Sequence, residues 1–326
     1  MSHQIKTPYY PIVYVRGYAM TADEREETFH DAYYGFAANS VEKRQASKEN
    51  NYQVADIFEG QLIRFMKIKD YGYADSINYG LRDFHGDTSR SIWVCRFYDQ
   101  DYINGKIRSI EMHAEDLAKL VLVDIPLKLQ QSGVVNVGTD YKFILIAHSM
   151  GGLVCRTLIQ NILQDSGDGL RKKYPESILG PLLDRPLDLI FKLVTIGTPH
   201  KGIELGNVPD IIEKTVVSLL NPFDSSIFQE KRMREYLKLP DKDFEVNSLG
   251  NSGFPIKRCL CVIGSDYNAY GAVKHATGGF SDGLVKQDRA YIVDGPRPST
   301  GVYLGQECSL LCQCTPGPFR LQRYCK

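Results

Sequence analysis

Apolar residues along this chain alternate between two patterns. Short, nearly continuous apolar runs occur at Pro11–Val15, Ser91–Tyr98, Phe143–Ile146, Leu187–Ile196 and Arg258–Gly264. Their length and their Ile, Val and aromatic content predict strands buried on both faces. Arg16-Gly17 opens a loop after the first run, and Asp99-Gln100-Asp101 reads as a polar turn closing the second. Between strands the period lengthens. Ile110–Leu129 carries Met112, Leu117, Leu120, Val121 and Ile125 at three- and four-residue steps, an amphipathic helix that Pro126 kinks or ends. Residues 21–70 have mixed helical spacing, with Phe29, Tyr33, Ile57, Leu62, Phe65 and Met66 as expected buried positions and Asp23–Glu27 as a solvated helix start. A helix is expected to run from residue 150 to about Leu163, followed by a flexible break at Asp165–Gly169. A further helix starts at Asn207–Asp210, with Ile211, Ile212, Thr215, Val216, Leu219 and Leu220 on one face. Strands alternating with helices predict an α/β fold: a mostly parallel sheet with helices on both faces.

Charge and composition narrow the function classes. The 326 residues include 39 basic and 39 acidic side chains, and without a basic stripe there is no electrostatic case for nucleic acid. No run reaches the roughly 18 apolar residues of a membrane span, and the N-terminus lacks a cationic segment followed by an apolar one, so a soluble, cytoplasmic chain is expected. Transient contact with a membrane surface is compatible with that. Cys95, Cys155, Cys259 and Cys261 lie in apolar patterns and read as small buried hydrophobes. Cys308, Cys312, Cys314 and Cys325 crowd the tail at a C-x3-C-x-C-x10-C spacing, which lacks the paired C-x2-C of zinc sites. Neither a metal nor an organic cofactor is implied, and the oligomeric state is not readable.

One stretch carries chemistry. Ala147-His148-Ser149-Met150-Gly151-Gly152 follows the apolar run Phe143–Ile146 and precedes Leu153-Val154. A buried strand that turns sharply into a helix lifts the serine between them out of the sheet, and small residues two before and two after it, here Ala147 and Gly151, avoid a clash in the turn. A serine hydroxyl attacks only when a base takes its proton and preorganised donors hold the developing oxyanion. Ser149 is therefore the expected nucleophile. The N–H of Met150 is one oxyanion donor by the geometry of such a turn, and the loop Gly17-Tyr18 after the first strand offers the second, the N–H of Tyr18.

With these motifs the chain resembles the α/β-hydrolase lipases and esterases. Val13-Tyr14-Val15-Arg16-Gly17-Tyr18 is similar to the family's strand ending in His-Gly, with Arg16 where histidine is usual. Thr195-Ile196-Gly197-Thr198-Pro199-His200-Lys201-Gly202 is similar to the lipase segment after the next strand, and Ser281-Asp282-Gly283-Leu284-Val285 to the turn that carries the catalytic acid. The resemblance spans residues 11 to about 293 and implies an α/β-hydrolase fold, an acyl or lipid ester as substrate, and Asp282 as the acid. It also implies a hydrolase domain over 1–297, with an inserted cap or lid over about 203–257; the atypical Cys-rich tail over 298–326 departs from the family and is not expected to be part of the native fold.

The base departs from the family, in which the histidine follows the acid. The histidines here are His3, His30, His85, His113, His148, His200 and His275, and none follows Asp282. His275 is the candidate substitute base; His148 and His200 read as structural. From about Pro298 the sequence loses strand and helix periods, as a shifted reading frame would cause. Reading Thr315–Arg320 one nucleotide later permits His-Arg-x-His-Ser-Gly, similar to the histidine loop of lipase-like proteins. The expectation is thus a serine hydrolase of carboxylic esters whose histidine is missing from this chain. A catalytically inactive remnant that binds a ligand or partner, and an acyltransferase or thioesterase on the same fold, are the alternatives.

Overall fold

The computed structural model describes residues 3–17, 26, 28, 30, 34, 57–67, 71–75, 88–104, 108–203, 225–240, 244–264, 285–295, 309–312 and 321–324. The five apolar runs form the strands β1 (Ile12–Val15), β3 (Ser91–Cys95), β4 (Phe143–His148), β5 (Ile190–Ile196) and β6 (Cys259–Gly264), and the two-residue strand β2 (Ala74–Asp75), which no apolar run predicts, precedes β3. The tail adds β7 (Ser309–Cys312) and β8 (Leu321–Tyr324), although its sequence shows no strand period. These strands make one 8-stranded sheet in the order β2-β3-β1-β4-β5-β6-β7-β8. Neighbours are parallel except β7 and β8.

The strand order positions the site. Val15 at the end of β1 pairs with Cys95 of β3 on one side and Ala147 of β4 on the other. From β1 the chain runs out to the edge strand β2, returns to β3 beside β1, then crosses to the other side of β1 at β4 and builds the other way. Parallel sheets bind ligands beyond the carboxyl ends of their strands where the winding reverses. Gly17 follows β1 and Ser149 follows β4, so the two candidate segments flank that reversal. This central parallel sheet, with a strand-to-helix turn at Ser149, is the α/β-hydrolase fold.

The helices follow the sheet's need for cover. α1 (Ile57–Lys67) has Leu62 buried, with Phe65 and Met66 packed against the core as expected; Phe29 and Tyr33 lie outside the described residues. The polar stretch after β3 is not a turn, because Tyr98–Asn104 forms the helix α2. α3 (Ile110–Lys119) buries Ile110, His113, Ala114 and Leu117, and leaves Met112 exposed at 48%. The expected stripe was thus misplaced at its first position. A π turn, Leu120–Asp124, joins α3 to α4 (Ile125–Gln131). Pro126 neither ends nor breaks the run: it sits in the first turn of α4, where a missing N–H costs little. α5 is the short Val137–Asp140.

Every residue of α6 (Met150–Gln160) is buried, and each fully buried Leu or Ile on it contributes about 1.5–3 kcal/mol. The expected break at 165–169 is instead a capped start: Ser166 Oγ accepts from Gly169 N at 3.0 Å, opening α7 (Gly167–Lys173). β5 begins only at Ile190, since Pro186–Leu189 makes a 3-10 turn. α8 (Glu230–Tyr236) buries Met233 and Tyr236. The helix expected after Asn207 lies outside the described residues. Cys95, Cys155, Cys259 and Cys261 are buried free thiols, as their apolar surroundings predict. No described helix is long and apolar enough to cross a membrane.

Candidate active site

Ser149 stands between β4 and α6 with φ 48° and ψ −123°, a backbone conformation that costs a non-glycine residue about 1–3 kcal/mol. Two hydrogen bonds hold it there. Its N–H donates to Ile196 O at 2.9 Å, tying the turn to the end of β5, and its carbonyl accepts from Gly152 N at 3.0 Å. Met150 is the first residue of α6, so its N–H belongs to the turn whose amides lack an intrahelical acceptor and make up the positive end of the helix dipole.

Steric closeness explains the small residues. A Cβ on Gly151 would lie 2.3 Å from Val15 O and 2.6 Å from Arg16 O, so the elbow presses directly against the backbone at the end of β1. One on Gly17 would lie 2.9 Å from Ser149 Cβ and 2.7 Å from His148 Nδ1. The loop proposed to supply the second oxyanion donor therefore begins in contact with the nucleophile. Ser149, Met150 and Gly17 are brought together; Tyr18, Asp282 and His275 lie outside the described residues.

The described histidines near the elbow are committed to packing. His148 is partly exposed, but its Nδ1 is covered, and burial followed by the charge of Arg16 lowers its pKa to about 3. Arg16 is itself buried at 2% exposure. His200 is fully buried; its Nε2 shares a hydrogen bond with Thr195 Oγ1 at 3.0 Å and sits 4.0 Å from Cys261 Sγ. Burial, then the guanidinium of Arg156, holds its pKa well below 6.5.

His200 gives a pH prediction with a definite sign. The native state keeps this imidazole neutral while the unfolded chain protonates near pH 6.5, so the unfolded state binds more protons below that value. Stability therefore falls as pH drops through 6.5, by about 1.4 kcal/mol per pH unit for this residue, and is insensitive to it above. Between pH 7.5 and 5 His200 is expected to cost about 2 kcal/mol, with His148 adding in the same direction. Urea midpoints at the two pH values check this: His200→Gln should show a smaller acid loss than wild type, and equal losses would contradict it.

Sequence reading did not single out Arg156, which is 0% exposed in the middle of α6. Its Nε donates to Gln160 Oε1 at 2.9 Å, Nη1 to His200 O at 3.0 Å, and Nη2 to Val246 O at 2.8 Å and Ser248 O at 2.6 Å. Burial lowers its pKa to about 10, which leaves it charged at neutral pH. One guanidinium thus fastens the elbow helix to the loop after β5 and to residues 246–248. Those segments in turn hold the chain that follows Asp282. Lys201 N donates to Arg289 O at 3.0 Å, Arg289 Nη1 to Lys201 O at 2.9 Å, and Val293 N to Asn247 O at 3.1 Å. The sequence signal was a lone charge inside the apolar Leu153–Ile159.

No family model and no curated protein matches the chain. Among solved structures it is similar to the mature form of the Bacillus licheniformis lipase BlEst2, at 12% identity over 90% of this chain and 85% of that one, with a TM-score of 0.40. It is also similar to the Staphylococcus hyicus lipase, at 14% identity over 73% of this chain and 58% of that one, with a TM-score of 0.24. The α/β-hydrolase fold of this chain stands on its own strand order and on the Ser149 elbow.

Proposed function

We propose that this chain is a serine hydrolase of carboxylic esters acting through an acyl-enzyme. The observation that carries the reading is the strained conformation of Ser149, φ 48° and ψ −123°, at the strand-to-helix turn beside the winding reversal. Backbone strain of this kind persists where the surroundings over-determine it, and here it exposes a hydroxyl above helix amides. Ser149 Oγ attacks the ester carbonyl carbon and its proton passes to the base. The tetrahedral oxyanion is held by the N–H groups of Met150 and Tyr18. Collapse expels the alcohol, which takes the proton, and water releases the carboxylic acid. Asp282 is the acid that orients the base, and His275 is the substitute base. The resemblance of the elbow, Thr195–Gly202 and Ser281–Val285 to lipase motifs supports an acyl or lipid ester as substrate, taken from solution or at a membrane surface, with 203–257 as a cap.

A catalytically inactive chain that binds a ligand or partner is the second reading. The observation favouring it is that the last histidine, His275, precedes Asp282 in the sequence. Hydrolysis of p-nitrophenyl esters of short and long acyl chains separates the two. Saturable turnover above buffer supports the hydrolase, and the acyl length giving the highest kcat/KM reports the substrate class. Turnover no faster than buffer for every ester favours the inactive reading.

A further inference from the structure

We infer that Tyr98 is a positioning residue that fixes the oxyanion-hole peptide through the carbonyl of Gly17. The inference rests on the proposed role of the Tyr18 N–H. Tyr98 is 2% exposed and its Oη donates to Gly17 O at 3.2 Å. The Gly17 carbonyl and the N–H of the next residue belong to one planar peptide unit, in which the two bonds point in opposite directions when trans. Holding the carbonyl therefore holds the plane that carries the proposed donor. Glycine at position 17 makes such a hold necessary, because without a Cβ its dihedrals are free to let the peptide rotate.

The Tyr98 ring has an unusually complete mounting. Its backbone N–H donates to Tyr34 Oη at 2.6 Å, and its ring meets those of Phe97 and His113 at centroid distances of 4.5 and 5.7 Å. Those neighbours are fixed by a buried charge cluster. His113 stacks on Phe97 at 4.5 Å, and its Nε2 lies 2.9 Å from Asp101 Oδ2. Arg108 donates through Nε to Asp101 Oδ1 at 2.7 Å and through Nη2 to Phe97 O at 2.6 Å. The side chain of Asp101 is 0% exposed, and its pKa is lowered because the hydrogen bonds and charges of His113 and Arg108 outweigh its own desolvation. Buried polar networks gain rigidity from the bonds they complete, and here Asp101 is bonded on both oxygens while His113 Nδ1 is left without a partner among the described residues. This one ends at a tyrosine hydroxyl whose acceptor lies next to the nucleophile, a placement that core packing alone does not require.

Tyr98→Phe keeps the ring and removes only the hydroxyl. The expected result is a kcat for p-nitrophenyl butyrate lowered about 10- to 100-fold, less than deleting an oxyanion donor outright, with KM near wild type and a melting temperature lowered only as far as one lost buried hydrogen bond requires. Hydrogen exchange at the amide after Gly17, read by NMR, should quicken. Full kcat in Tyr98→Phe, with wild-type turnover that Ser149→Ala abolishes, overturns the positioning role and leaves the hydrolase reading standing. If wild-type turnover does not depend on Ser149, the hydrolase reading fails and the exchange rate decides. Unchanged exchange then overturns the hold on the peptide, and faster exchange sustains it.

Discussion

Ser149→Ala is expected to lower ester turnover by at least about 10⁴-fold, leaving only the modest acceleration that binding and oxyanion donors give without a nucleophile. The change should be nearly silent in stability. Alanine keeps the Cβ that lies against Gly17, and the elbow's two backbone hydrogen bonds, Ser149 N to Ile196 O and Gly152 N to Ser149 O, do not involve the hydroxyl. Ser149→Gly should be equally inactive yet more stable by about 1 kcal/mol, because glycine adopts positive φ without strain. Activity lost while stability is kept or raised would mark a site built against local preference for the sake of chemistry. Kinetics with p-nitrophenyl esters and urea unfolding of both variants measure the two halves.

Arg156→Met is expected to cost about 3–5 kcal/mol, read as a lower urea midpoint at unchanged slope. Methionine fills similar volume, so the loss is polar rather than a cavity. The carbonyls of His200 and Val246 lose the donors that Arg156 supplies, while Ser248 O keeps the amide of Gln160 at 3.1 Å. Each buried acceptor left without a partner costs about 1–3 kcal/mol. Arg156→Lys should fall between, since an ammonium keeps the charge but cannot fork to His200, Val246 and Ser248 together. Activity should drop beyond what the stability loss explains, because Arg156 ties the elbow to the segments on which residues 289–293 dock, just beyond Asp282. A midpoint within experimental error of wild type would show that these carbonyls find other partners.

The sheet and the elbow were legible because both are written in local pattern. Phe143–Ile146 followed by Ala147-His148-Ser149 dictates strand, turn and helix through apolar period and small residues, and Ser149 stands in the strained turn those residues predict. Packing across the chain was less legible. Gly151 looked small for the sake of its own turn, yet what it avoids is the backbone of Val15 and Arg16, far away in sequence. Met112 fitted a helical stripe, but the inward face of α3 is taken by His113 and Ala114, where Nε2 of the imidazole bonds Asp101. Asp99-Gln100-Asp101 has turn composition, and side-chain partners override it: Arg96 Nε donates to Asp99 at 2.8 Å, and Arg108 and His113 both bond Asp101, so the segment coils into α2. Arg156 and Tyr98 act through carbonyls of distant segments, which leave no periodic trace.

The most direct measurement of the central claim is covalent trapping. The chain is treated with a fluorophosphonate, which loses fluoride when an activated serine oxygen bonds to phosphorus, and the modified residue is mapped by mass spectrometry. The account predicts one adduct, on the peptide bearing Ser149, suppressed by a competing ester and absent from Ser149→Ala. An unlabelled Ser149 in folded protein, or an adduct confined to another residue, would contradict it.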